Sequence, residues 1–324
     1  MCVDCGCSDG AKATIKNVNT GKVSEIWGDV IGRLETDGHI HNHAHNHDHG
    51  QSHSHDHGPG GHHHDHDGSE MHSHSDGHSH DHGDHHHHGD DHHHHGDDHN
   101  DHRHTRGVVD LQQSILQKND ALAARNRAWL AGREVLMLNL VSSPGSGKTS
   151  LLERTIRDLK GRMPISVIEG DQATANDGER IAAAGAQAIQ VNTGTGCHLE
   201  ADMIQRGLDE LKPASGSVVM VENVGNLVCP ALFDLGEYAK VAILSVTEGE
   251  DKPIKYPHMF RAARLLLLNK TDLLPHLDFE MDKAIAYARD VNPTIEVIEV
   301  SAKTGAGMSD WYGWLESHLS EIRS

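Results

Sequence analysis

Ser142-Ser143-Pro144-Gly145-Ser146-Gly147-Lys148-Thr149 follows the apolar run Val135–Val141 and precedes Ser150–Leu159, where Leu151, Leu152, Ile156 and Leu159 recur at helical spacing. A strand, a glycine-rich turn and a helix in that order is the context a phosphate-binding P-loop requires. The residue types carry the chemistry. Gly145 and Gly147 let backbone N–H groups curl around phosphate at a helix N-terminus, with Ser146 between them and Ser150 opening the helix. Lys148 is placed to reach the β- and γ-phosphates and to act in catalysis, and the Thr149 hydroxyl to bind Mg²⁺. The generic pattern has Gly where this chain has Ser142.

Working outward from that stretch, short β-rich runs alternate with helical patterns. Strands are expected at Val135–Val141, Ile165–Glu169, Ala188–Val191, Val218–Glu222, Val241–Val246, Leu265–Leu268 and Ile295–Val300. Helices are expected at Ser150–Leu159, Gly178–Ala184, Leu199–Leu211, Phe279–Val291 and Met308–Ile322. A further helix, Val108–Ala131, with Leu111, Ile115, Leu122 and Trp129 as apolar positions and Gly132 past its end, leads in. Near-continuous apolar strands alternating with helices predict an α/β fold, a mostly parallel sheet covered on both faces. Ligands then bind at the carboxyl ends of the strands.

The base is chosen elsewhere. Leu265–Leu268 runs into Asn269-Lys270-Thr271-Asp272, an arrangement in which Asp272 accepts from both the ring N–H and the exocyclic amine of guanine. Adenine cannot donate that pair, and an unpaired buried carboxylate is costly, so the pattern selects GTP. Ser301-Ala302-Lys303, after the next strand, is the loop expected to pack against the base. Two acidic strand ends complete the nucleotide site: Glu169-Gly170-Asp171 and Glu222-Asn223-Val224-Gly225. One carboxylate is expected near Mg²⁺ and the other in a loop sensing the γ-phosphate. Asp171 is read as the magnesium and activating acid, Glu222 as the second acid, and Gly225 as an N–H donor to the γ-phosphate.

Composition is split between regions. Of the 33 histidines, all but His198, His258, His276 and His318 lie between His39 and His104, among Asp, Gly, Ser and Asn. Such a tract cannot build a core, so residues 38–105 read as disordered and residues 106–324 as the GTPase domain. Most of the formal charge of −20 falls in the tract, whose acids meet a single base, Arg103. No basic patch suited to nucleic acid is visible, and no apolar run approaches the roughly 20 residues of a membrane span. The start lacks the basic and apolar regions of a secretory signal, which points to the cytoplasm.

Histidines near their ordinary pKa of about 6.5 are largely free to ligate at neutral pH, and neighbouring carboxylates attract cations. The tract is therefore expected to hold several divalent ions. Cys2-x-x-Cys5-x-Cys7, residues 1–8, packs three thiols into one short loop. Thiolate donors with a terminal amine suit Ni²⁺ in a square plane, and a tetrahedral set suits Zn²⁺; spacing leaves both open. Cys197, His198 and Cys229 suggest a second metal site, with Cys229 four residues beyond Gly225. Residues 9–37 carry no readable role.

The Cys-x-x-Cys-x-Cys start, the His-rich tract, Ser-Ser-Pro-Gly-Ser-Gly-Lys-Thr, Glu-Gly-Asp, Glu-Asn-Val-Gly-Asn-Leu-Val-Cys-Pro and Asn-Lys-Thr-Asp, in that order, closely resemble the hydrogenase nickel-incorporation GTPases known as HypB. Ser142 matches that family's own P-loop variant, and Cys197, His198 and Cys229 fall where it has its GTPase-domain metal ligands. The resemblance implies a homodimer that loads nickel into the large-subunit precursor of [NiFe] hydrogenase together with a HypA-type chaperone, with slow, Mg²⁺-dependent hydrolysis. The neighbouring readings are a urease-type nickel GTPase, which lacks the cysteine start, and a nickel or zinc storage protein whose nucleotide chemistry is secondary.

Overall fold

The strand that feeds the P-loop, β3 (Leu136–Ser142), lies inside a nine-stranded sheet and is buried along its whole length. The structure, a computed structural model, describes residues 13–26, 101–171, 176–194, 196 and 198–324. In chain order the elements before β3 are β1 (Ala13–Asn17), β2 (Val23–Ile26) and α1 (Asp101–Ala131). After it come α2 (Lys148–Asp158), β4 (Ile165–Asp171), α3 (Asn176–Ala184), β5 (Gln187–Asn192), α4 (Ala201–Leu211) and β6 (Val218–Glu222). The chain continues through the one-turn helix α5 (Cys229–Leu232), β7 (Ala239–Ser245), α6 (Lys252–Lys255), α7 (Pro257–Ala262) and β8 (Ala263–Asn269). A 3-10 turn at Thr271–His276, α8 (Met281–Val291), β9 (Glu296–Glu299) and α9 (Met308–Ile322) complete it.

The strand order is β2-β1-β5-β4-β6-β3-β7-β8-β9, parallel from β5 through β9. From β3 the chain crosses to β4 and β5, returns to place β6 beside β3, and then passes to β7 on the other side. The direction of winding therefore reverses around β3, and a crevice opens where its carboxyl end meets that of β6. Alternation along β3 covers both faces. Leu136, Leu138 and Leu140 pack with Leu151, Ile156, Ile181 and Trp311 on one side, while Met137 packs with Leu130, Ile204, Leu208 and Val219 on the other. A third cluster, around Val141, Leu244, Phe260, Leu266 and Ala288, closes the β7–β8 end.

Two features depart from the reading of the sequence. Residues 13–26, which carried no pattern, form a hairpin that extends the sheet: β1 pairs antiparallel with β5, Thr14 opposite Asn192. Only Ile15 of β1 is buried in the core, so there is little apolar alternation to see. The helix α1 is real, but Trp129 is 37% exposed, with the Arg133 guanidinium over its ring. Its buried face is Asn119, Ala123, Asn126 and Leu130. Two asparagines on that face read as polar in a sequence and become buried only because backbone groups elsewhere accept and donate to them.

Candidate functional site

At the carboxyl end of β3 the chain must turn sharply into α2, and glycine makes this possible: Gly145 and Gly147 have φ of 76° and 93°. At Gly147 a side chain is also excluded by space, since a Cβ there would stand 2.6 Å from Asn269 Nδ2. Asn269 uses that closeness to donate to Ser146 O at 2.9 Å, tying the end of β8 to the P-loop. Lys270 adopts a left-handed φ of 63°, rare for a residue with a side chain, and its Nζ donates to Gly145 O at 2.6 Å. Lys148, first residue of α2, donates to Ser142 Oγ at 3.1 Å.

A cleft of about 590 Å³ opens over this loop, lined by residues 144–150 and by Asp177, Arg180, Glu222, Val224, Gly225 and Lys270. A smaller pocket of about 200 Å³ adjoins it, sharing Gly147, Ser150 and Lys270 and adding Asn269, Asp272, Leu273, Ala302 and Lys303. Ser301, fully buried, donates to Asp272 Oδ1 at 2.6 Å and fixes one carboxylate oxygen. Asn269 Oδ1 accepts from the Ala302 N–H at 3.3 Å, so both loops beside the small pocket are joined.

β6 runs beside β3, with Glu222 opposite Leu140. This pairing sets Glu222 under the start of α2, where Thr149 Oγ1 donates to Glu222 Oε1 at 2.7 Å. The other carboxylate oxygen, Oε2, is buried with no hydrogen-bond partner among the described residues, as is Ser146 Oγ. Burial pushes the Glu222 carboxyl above its ordinary 4.5, a shift that Lys148 and the Thr149 hydroxyl oppose without cancelling. An acid of this kind is poised for a cation. The side chain of Asp171, at the end of β4, lies outside the described residues, so of the two acids only Glu222 is placed against Thr149 here.

The loop after β6 packs on the P-loop, and a Cβ on Gly225 would meet Pro144 at 3.2 Å. It leads to Cys229, partly buried at the start of α5. His198 stacks on Phe233, the residue closing α5, with ring centroids 3.9 Å apart, and its Nε2 lies 3.6 Å from Glu200 Oε1. Cys2, Cys5, Cys7, the His-rich tract and Cys197 lie outside the described residues, and among the described residues no three metal-binding side chains converge. Reading the sequence missed Asp177 and Arg180 at the cleft wall, where Arg180 is held by Asp177 at 2.9 Å and by Glu153 at 2.9 Å. Nothing in their local pattern marks them, because they reach the site only through the packing of α3 on α2.

Sheet order, glycine turn and paired pockets define the class: a P-loop nucleotide-binding protein on a mostly parallel sheet. Residues 136–299 match the model for "CobW/HypB/UreG, nucleotide-binding domain". The chain is 62% identical over 209 residues to hydrogenase maturation factor HypB of Azotobacter vinelandii, covering 64% of this chain and 69% of the relative. To HypB of Escherichia coli strain K12 it is 59% identical over 212 residues, 65% of this chain and 73% of the relative. The crystal structure of HypB from Helicobacter pylori in complex with nickel superposes with a TM-score of 0.60 at 35% identity, covering 63% of this chain and 96% of that one. HypB from Archaeoglobus fulgidus gives 0.59 at 38% identity, covering 63% and 99%. The chain belongs to the HypB hydrogenase maturation factors of the CobW/HypB/UreG family of P-loop GTPases.

Proposed function

We propose that this chain binds Ni²⁺ and couples GTP hydrolysis to its insertion into the [NiFe] hydrogenase large-subunit precursor. The observation that carries this reading is that the strand end bearing Glu222 continues through Gly225, packed on the P-loop, into the segment holding Cys229, whose far end stacks on His198. Residues in contact with the nucleotide cleft and residues suited to hold nickel thus belong to one short stretch of chain.

In this reading Gly145, Ser146, Gly147, Lys148, Thr149 and Ser150 bind the phosphates of GTP, and Asn269, Lys270, Asp272, Ser301, Ala302 and Lys303 take the guanine. Lys148 exchanges its Ser142 partner for phosphate oxygens. The orphaned Glu222 oxygen and the Thr149 hydroxyl form an all-oxygen donor set that fits Mg²⁺. When bound, the ion neutralises charge developing on the phosphates. Asp171 orients the attacking water, Gly225 donates to the γ-phosphate, and turnover is slow because Arg180 is already held by two carboxylates.

Cys197, His198 and Cys229 hold the metal to be delivered, with Zn²⁺ as competitor for the same thiolate and imidazole donors. The hairpin supplies a source: β1 runs antiparallel to β5, so its Ala13 end lies toward Asn192, six residues before His198. Cys7 is six residues from Ala13, at most about 21 Å of extended chain, so Cys2, Cys5 and Cys7 can serve as donor ligands to that end of the sheet. Val228 and Leu232, 55% and 50% exposed around Cys229, offer apolar contact to a second copy in a GTP-dependent homodimer or to a HypA-type chaperone. The His-rich tract stores metal in the cytoplasm.

The test is Ni²⁺ affinity of the full chain with GDP and with a non-hydrolysable GTP analogue. A coupling of about 1 to 3 kcal/mol gives roughly 5- to 150-fold between the two states; equal affinities remove the switch. In a deletion strain, Lys148→Ala abolishes hydrogenase maturation, whereas a storage protein would still support it.

A further inference from the structure

Asn223, 2% exposed, follows Glu222 directly and does not line the nucleotide cleft. Its amide works in two directions. Nδ2 donates to Asn139 Oδ1 at 3.1 Å, while Oδ1 accepts the Leu199 N–H at 3.4 Å and the Val224 N–H at 2.9 Å. Leu199 is the residue after His198, and its side chain lies over Gly170, where a Cβ would stand 2.8 Å away. Asn223 therefore bonds on one side to the core of the sheet and on the other to the backbone of the metal-ligand segment.

Its orientation is imposed from deeper in the protein. Glu237, buried, can only accept: Oε1 takes Asn139 Nδ2 at 3.1 Å together with Lys240 Nζ, and Oε2 takes the Leu235 N–H at 2.7 Å. Asn139, fully buried on β3, must turn its NH₂ toward that carboxylate and so presents only oxygen to Asn223. Asn223 must then answer with NH₂, which leaves its oxygen for Leu199. A buried ion pair is a poor source of stability, and one retained here sets the direction of a chain of amides instead. The receiving end is also held from α1: Asn119 Oδ1 accepts the N–H of Ala201, the first residue of α4, at 2.9 Å. Between these two anchors lies the backbone that carries His198 into α4.

We propose that Asn223 is the positioning residue that transmits nucleotide state from the Glu222 strand end to the segment that carries His198 into α4. It touches neither phosphate nor metal in this assignment. The proposal rests on the nickel-switch reading for its consequence, but the mechanical link is measurable separately. Two readouts are needed on the full chain: the ratio of Ni²⁺ affinities with GTP analogue and with GDP, and hydrogen exchange of the Leu199 and Ala201 amides in the same two states.

Asn223→Ala is expected to keep GTP affinity near the parent's while the affinity ratio falls from roughly 5- to 150-fold to about one, and the nucleotide-dependent difference in Leu199 exchange disappears. Asn223→Asp keeps an acceptor for Leu199 but sets a carboxylate oxygen against Asn139 Oδ1, so it too is expected to lose most of both. If the alanine variant does not fold, Asn223→Leu, with the same branching of side-chain heavy atoms and no polar group, makes the same test. A variant lacking the Asn223 amide that preserves the parent's exchange difference overturns the proposal, as does a parent with no such difference. A parent whose Leu199 exchange responds to nucleotide, and loses that response in Asn223→Ala, while its Ni²⁺ affinities are equal, upholds the link and sinks the nickel-switch reading alone.

Discussion

Replacing Glu222 by Gln should make the nucleotide-free protein more stable and the nucleotide complex weaker. The carboxylate is 4% exposed, one of its oxygens has no hydrogen-bond partner among the described residues, and burial raises its proton affinity despite Lys148 nearby. Without a cation the charge is a net cost. A neutral amide is still buried, so the gain is about 1 to 2 kcal/mol, within the range for an unsatisfied buried polar group. At about 2 to 4 °C per kcal/mol for a domain of this size, the melting temperature rises by roughly 2 to 8 °C. With Mg²⁺ and GTP the sign reverses, because a charged acceptor contributes about 1.5 to 3 kcal/mol more than its absence, and affinity falls roughly 10- to 150-fold.

The pH dependence follows from the direction of the shift. A carboxyl whose folded pKa lies above its ordinary 4.5 holds its proton more tightly in the native state, so its charge destabilises the fold only as pH rises through 4.5 and past the raised value. The advantage of Glu222→Gln therefore grows as pH rises above 4.5, is complete only past the raised value, and vanishes below about pH 4, where both proteins carry a neutral group. Thermal melts from pH 3.5 to 8 without nucleotide, with Mg²⁺–GTP titrations at pH 7.5, decide it. A nucleotide-free variant less stable than the parent at neutral pH, or one that binds Mg²⁺–GTP equally well, would refute the reasoning.

Gly147→Ala has to occupy a left-handed backbone at about 1 to 2 kcal/mol and displace Asn269 from Ser146, so GTP affinity by calorimetry should drop about 10- to 100-fold. Asp272→Ala removes the acceptor that Ser301 orients and should cost roughly 10²- to 10⁴-fold in GTP affinity while leaving the melting temperature without nucleotide near the parent's; retained preference for GTP over ATP would count against Asp272 as the base-reading group. Gly236→Ala, at φ 87° with a Cβ 2.5 Å from Ala123 O, should lower stability by about 2 to 4 kcal/mol in denaturant titrations, because α1 must lift from the loop it packs against.

The P-loop, the parallel sheet and the order of its strands' chemistry were legible because each is local: glycine where φ must be positive, an apolar run before it, a helix after, and Asn-Lys-x-Asp at a strand end. Boundaries moved by a few residues, as at α2, which starts with Lys148 rather than Ser150. What the sequence did not disclose was set by partners far away along the chain. The hairpin at residues 13–26 exists as sheet only against β5, and the buried face of α1 carries two asparagines whose partners, Ala201, Asp234 and Leu235, lie at least 75 residues on. Glu222, read as the second acid, is placed against Thr149 by the pairing of β6 with β3, and Asn223 acquires a direction only because Glu237 is buried two bonds deeper. Residue types determined which chemistry this chain carries, since glycine, lysine, carboxylate and thiol are defined by their own atoms. Tertiary structure decided which of those groups act on one another, since hydrogen bonds and burial depend on distances that no spacing along the chain encodes.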